Sequence, residues 1–310
     1  MELKFALRAA AALSALCLSP AHLSAQQLEA APAAGAEVFY STDSDDTEIV
    51  RTAIDFDIAN RGENSRYGIR LEKAWYDPSG TGTREQERVF LRAADVSGDW
   101  TWSALVGTDG DTVIGSVSVH DEGPWRKEAF IERDIVATPR GLDEGIYSTF
   151  GGAAFDIPVD DRNIFTLLGG VQEFTGDNVR LHARANYVHV IDPELGLSGQ
   201  LRTRYFHSSE PNEFDYYSPR YYVQVLPVAQ LRRFVSRWEL VGAVGVGAQK
   251  DATSDWRRSD YLNLRVRSPK NDRNWQVQAD LTYTSQPGDN AVSGSDYSYL
   301  QTRIGVLRRF

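Results

Sequence analysis

The sequence predicts an all-β protein: a closed antiparallel transmembrane β-barrel of about sixteen strands. Three observations predict it. Apolar and polar residues alternate with period two along nearly the whole chain, which is strand periodicity and not helix periodicity. The connections between alternating segments are short and long in turn. Aromatic residues collect near segment ends instead of spreading along them.

The first segment stands apart. "MELKFALRAAAALSALCLSPAHLSAQQ" carries Lys4 and Arg8, then an apolar run from Ala9 to Ser19, then small Ser24 and Ala25. That is the order of features in a secretory signal peptide, so residues 1–25 are expected to be removed. Cys17, the single cysteine, lies within it, and the exported chain would hold no disulfide. Bulky Leu16 argues against lipid attachment at Cys17. An Ala/Pro linker is expected over 26–34 and the barrel over 35–310.

The strands are expected in this order. The first covers 35–43. The second, 48–60, contains "TAIDFDIA", which sets Thr52, Ile54, Phe56 and Ile58 against Ala53, Asp55 and Asp57. "RGEN" turns it into 65–76, and the long "DPSGTGTREQ" leads to 86–96. "VSGD" returns the chain as 98–107, followed by 111–120 and 125–136. "ATPRGLDEG" separates the last of these from 145–157, and "PVDDRN" turns into 162–174. The strand at 178–190 holds "VRLHARANYVHV", with Val179, Leu181, Ala183, Ala185 and Tyr187 opposite Arg180, His182, Arg184 and Asn186. "DPELG" leads to 195–207, "SSEPNEFDYYSP" to 219–232, and "FVS" to 236–249. The last strands are 255–267, 273–285 and 295–310, with "QPGDNAVSGSD" before the final one. No internal run approaches the ~20 apolar residues of a membrane helix, and no helical repeat is present.

Short turns on one side and long loops on the other are the pattern of periplasmic turns and outer loops. The aromatics sort the same way. Tyr67, Trp100, Trp102, Phe155, Phe165, Tyr187, Trp238 and Trp275 fall beside short turns, and Trp75, Tyr147, Tyr205, Tyr221, Trp256 and Tyr283 beside long loops. A soluble sandwich alternates too, but has no reason to form two belts. Phe310 has the parity of a lipid-facing residue at the periplasmic belt, with Arg308 and Arg309 beside it at the interface. The bacterial outer membrane is the expected location, with its lipid and the barrel-assembly machinery as partners and Phe310 as the assembly signal.

The whole chain has 33 basic and 43 acidic residues, and without Glu2, Lys4 and Arg8 the balance is −11. That argues against nucleic acid as a partner and allows attraction of a cation or polycation. The candidate site is the lumen. Its acidic residues by parity are Asp55, Asp57, Glu72, Glu128, Glu132, Asp134 and Asp156, mostly early in the chain. Its basic residues are Arg180, Arg184, Arg202, Arg204, Arg257, Arg265 and Arg303, all later. Arg51, Arg70, Arg92, Glu239 and Asp280 break the division. Opposed walls would set up a transverse field and tune selectivity, and about half of these charges are expected to pair across strands. Phe206, Tyr222 and Tyr261 share the lumen parity and are candidates for stacking on sugar rings, against the plainer role of filling space. His182, Ser198 and Asn186 share it as well, but Ser198 lacks a nucleophile-elbow motif. No metal or other cofactor is expected: no cysteine cluster or paired-histidine motif occurs, and "GTDGDT" is too short for a calcium loop.

From about Ala129 to Val228, "IERDIVATPRGLDEGIY", "GGVQEFTGDNVR" and "LRTRYFHSSEPNEFDYYSPRYY" resemble the C-terminal barrels of poly-N-acetylglucosamine export porins and related polysaccharide-secretion proteins. The resemblance covers about a third of the chain. It implies sixteen strands, the outer membrane and passage of a nascent polysaccharide. Those exporters carry a long periplasmic array of helical repeats before the barrel, whereas here about ten residues separate the signal from the first strand. Either a separate periplasmic partner or kinship with stand-alone outer-membrane barrels would account for that. A partly deacetylated aminosugar polymer, being cationic, would be drawn along the acidic wall. The alternatives are a general solute porin and a plugged structural or adhesive barrel.

Overall fold

The computed structural model describes residues 29–269, 275–292 and 296–310. The expected signal peptide lies outside the described residues. Sixteen strands follow one another: β1 (Ala31–Asp43), β2 (Glu48–Asn60), β3 (Arg66–Asp77), β4 (Arg84–Ser97), β5 (Trp100–Thr108), β6 (Val113–Asp121), β7 (Lys127–Ile135), β8 (Tyr147–Pro158), β9 (Asn163–Phe174), β10 (Val179–Asp192), β11 (Leu197–Ser208), β12 (Tyr221–Val235), β13 (Trp238–Asp251), β14 (Arg257–Arg267), β15 (Trp275–Thr284) and β16 (Tyr299–Arg309). Each pairs antiparallel with its neighbours, and β16 pairs back onto β1 from Arg309–Ala33 to Tyr299–Asp43. Closure leaves no sheet edge with unpaired backbone groups, which is what a strand structure needs in hydrocarbon.

The two faces divide as the alternation requires. Ile54, Phe56 and Ile58 stand exposed on the outside of β2, while Asp55 and Asp57 are buried inside. On β10, Leu181 is exposed and Arg180 and His182 are buried. Repeated round the barrel, this gives an apolar outer band suited to lipid. The short turns form on local chemistry. Between β10 and β11, Asp192 Oδ1 accepts hydrogen bonds from the amides of Glu194 and Leu195, both 2.9 Å. Gly196 then takes φ 70°, where an added Cβ would lie 2.0 Å from the Arg232 carbonyl oxygen. Between β12 and β13, Ser236 and Arg237 both have positive φ, as the two central residues of a type I′ hairpin turn must.

Three expectations need correction. β1 starts at Ala31, inside the expected linker, because its inner end is held by both β2 and β16. Tyr147 does not join the outer aromatic belt. It is buried with Phe39, Tyr76, Phe90 and Ile114, and its hydroxyl donates to Asp109 at 2.8 Å. Arg309 turns inward, donating to the carbonyls of Asn60 and Glu29 at 3.1 and 2.6 Å, while Arg308 stays outside between the rings of Trp275 and Phe310.

The short helix α1 (Pro139–Glu144) explains Tyr147. Thr138 caps it by accepting from the Gly141 amide at 3.0 Å, Pro139 sits in its first turn, and left-handed Gly145 ends it. The loop it belongs to folds inward. Ala137 is buried in the cluster that Phe39, Ile49, Ala74 and Tyr76 form inside β1–β3, and Leu142 packs against it. That pulls the start of β8 and its tyrosine away from the lipid face.

Candidate functional site

The lumen holds two different walls. On β1–β4 and β7 the acids are locked into ion pairs. Arg70 meets Glu37 at 2.6 Å, Glu72 at 3.3 Å and Asp55 at 3.6 Å. Arg92 meets Asp55 at 2.5 Å and Asp57 at 3.3 Å. Arg88 contacts Asp134 and also pairs with Glu72 at 3.1 Å, and Arg51 meets Asp134 at 3.5 Å. Arg303 reaches Glu37 at 3.7 Å. Some of these link register partners on adjacent strands, such as Asp55 with Arg70 and Glu72 with Arg88. Others, such as Arg88 with Asp134, reach from β4 to β7. Pairing on this scale fixes the wall and cancels much of its field. Also on β7, Glu128 pairs with Arg126 at 3.1 Å and Glu132 is half-buried, and on β8 Asp156 accepts from Thr166 Oγ1 at 2.7 Å.

The second wall runs from β9 to β16. Arg257 pairs with Asp251 at 3.0 Å and Arg265 with Asp280 at 2.5 Å. Between them the wall is mostly neutral amides and hydroxyls. Gln224 donates to Ser259 at 2.8 Å, Asn263 to Thr282 at 3.0 Å, and the Tyr222 hydroxyl to Gln249 at 2.7 Å. On β10 and β11, Arg184 stands directly across from Arg204, and Arg202 across from Asn186. Arg202 donates to Gln200 at 2.8 and 3.0 Å and lies over the Tyr261 ring at 4.8 Å.

Phe206 offers no stacking surface here, contrary to the expectation from parity. It is 1% exposed, with Tyr222 stacked on it from β12 at 5.1 Å and Arg180 over it from β10 at 4.4 Å. His182 is likewise engaged, 3.0 Å from Gln172 Oε1. His182 pairs with Phe206 and Ser198 with Val190, so the two lie near opposite ends of the barrel and form no nucleophilic pair.

Sequence reasoning did not find the contacts that join the loops at the outer mouth. Three loops meet there. Asp215, between β11 and β12, accepts from Thr138 Oγ1 at 2.6 Å and from the Arg140 amide at 2.8 Å, joining that loop to the loop of α1. Asn290, between β15 and β16, accepts from the Ala137 amide at 2.8 Å. Its neighbour Asp289 reaches Arg180 Nη1 and Gln172 Nε2, both at 2.5 Å. Tyr216 stacks on Phe174 at 4.3 Å, and Tyr217 packs against Phe206 and Tyr222 while donating to Asp251 at 2.7 Å. Burial pushes both phenols up, and the Asp251 carboxylate adds to this for Tyr217, so both remain neutral.

No family model matches the chain, and no curated protein matches it. Among solved structures it is similar to a barrel described as a bacterial polysaccharide outer membrane secretin, with TM-score 0.64, 16% identity, and coverage of 89% of this chain and 98% of that one. The protein has the fold of an outer-membrane β-barrel. Other similar folds are OccK5 (OpdH) of Pseudomonas aeruginosa, at TM-score 0.43, 10% identity and coverage of 92% and 100%, and OprD of the same organism, at 0.44, 8%, 91% and 95%.

Proposed function

We propose that this barrel is a porin-like channel for saccharide, exported polymer or oligosaccharide, and performs no covalent chemistry on it. The observation that carries the reading is the wall from β9 to β16. Gln200, Gln224, Asn263 and Gln301 line it with amides, which can both donate and accept as sugar hydroxyls require, and which here bond to Arg202, Ser259, Thr282 and Tyr299. The likeness in fold to a barrel described as a polysaccharide secretin supports it. Planar-bilayer recording tests it: soluble oligosaccharides should interrupt the current through the barrel once its mouth is open. A current that no oligosaccharide disturbs would favour a general solute porin.

The loops joined across the mouth favour a second reading, a plugged structural barrel. The two differ in what the loops rest on. The mouth loops hold one another largely through side-chain hydrogen bonds and one ion pair, which can be exchanged for solute or water without disturbing the strand ladder.

Assembly is a separate matter. The Phe310 ring is 68% exposed on the lipid side with the Arg308 guanidinium 5.3 Å from its centroid, an interfacial anchor and the residue we assign to recognition by the assembly machinery. Phe310→Ala is expected to lower the heat-modifiable, assembled fraction of the barrel in outer-membrane preparations, and an unchanged fraction would remove that role.

A further inference from the structure

A loop at the mouth is held to the wall by an acid placed on a prepared cation. Arg180 is 1% exposed on β10 and held from several sides before Asp289 arrives. Its guanidinium lies over Phe206 at 4.4 Å and Phe174 at 4.9 Å, and Nη2 donates to the Tyr217 carbonyl at 2.6 Å. Gln172, the cross-strand partner of Arg180, aims its amide at the same point. Together they take both oxygens of the Asp289 carboxylate, one each, at 2.5 Å. A guanidinium beside an amide donor is a two-point receptor for a planar carboxylate. The acid that fills it comes from a loop six strands round the wall, between β15 and β16, and is no part of the wall itself.

We propose that Arg180 and Gln172 form the carboxylate subsite of the lumen, that the solute is an acidic saccharide, and that Asp289 holds its place in the closed barrel. The inference rests on the saccharide-channel reading and names the class of saccharide. Below the subsite, β10 and its other neighbour β11 carry Arg184 across from Arg204, then Arg202 two residues further, about 7 Å along the strand. An anion passing along β10 and β11 would therefore meet several guanidiniums in succession. Among the described residues Arg202 is held by Gln200 and Tyr261 and by no carboxylate. The acidic wall opposite is occupied with its own arginines, which weakens the case for a cationic polymer. An acidic sugar arriving at the mouth competes with Asp289 for Arg180, so the same contact that recognises the solute also releases the loop.

The test compares current block by short oligomers of galacturonic acid, glucose and glucosamine in planar bilayers. In the Asp289→Asn barrel the uronate oligomer should block at a concentration at least about tenfold lower than the glucose oligomer, a charge-assisted pair having been made available. In the wild type that advantage should be smaller, because Asp289 competes. Adding Arg180→Gln to Asp289→Asn should remove it, and Arg180→Lys should keep part of it. The Asp289→Asn comparison alone decides the matter if the Arg180 variants do not assemble. Equal block by all three oligomers, or preference for glucosamine, overturns the inference and leaves saccharide passage standing. A conducting barrel blocked by none of them overturns both.

Discussion

Asp215→Ala with Asp289→Ala is expected to open the outer mouth and raise the open fraction of the barrel by about tenfold or more. The two carboxylates accept four hydrogen bonds that tie the β11–β12 loop to the loop of α1 and the β15–β16 loop to the wall. Hydrogen bonds to charged groups contribute about 1.5–3 kcal/mol each where they are shielded, and 1.4 kcal/mol is already a tenfold shift between two states. No strand pairing is touched, so the barrel should assemble normally and remain heat-modifiable. Single-channel recording reads the result as longer and more frequent open events. A double variant with the conductance of the wild type would show that the loops are held by their buried aromatic contacts, through Tyr216 on Phe174 and Tyr217 on Tyr222.

Asp134→Ala is expected to be the most destabilising single change in the lumen, at about 3 kcal/mol. It removes the carboxylate between Arg88 and Arg51, whose side chains are 2% and 9% exposed, and leaves two guanidiniums facing each other. The pair Lys73–Glu85, on the outer surface with both side chains over a third exposed, is the control. Glu85→Ala should leave stability close to that of the wild type. Guanidinium unfolding of the barrel in lipid vesicles measures both. Equal effects at the two sites would mean that water in the lumen screens Asp134 as fully as it screens the surface.

The wall of the barrel was legible in the sequence because alternation is a local property. "TAIDFDIA" assigns Asp55 to the lumen and Ile54 to lipid without reference to any other strand, and the structure agrees. Partners were less legible. That Asp55 faces inward follows from parity, but that it meets Arg70 and Arg92 depends on the register of three strands. Glu37 was overlooked for the same reason, although it joins Arg70 and Arg303. The mouth was hidden altogether. Asp289 and Arg180 are 109 residues apart, and Asp215 and Thr138 are 77 apart. Neither loop sequence carries a periodicity that says where its tip will land. Tyr147 shows the limit of parity itself: its position in the strand points to lipid, and the inward fold of the preceding loop overrides it.

The measurement that bears most directly on the central claim is single-channel recording of the Asp215→Ala/Asp289→Ala barrel with oligosaccharide added to the bath. A saccharide channel closed by its own loops predicts a steady open current that oligosaccharide interrupts in a concentration-dependent way, and a wild-type barrel that opens rarely. A double variant that assembles yet passes no current would contradict the account and leave a barrel plugged along its length.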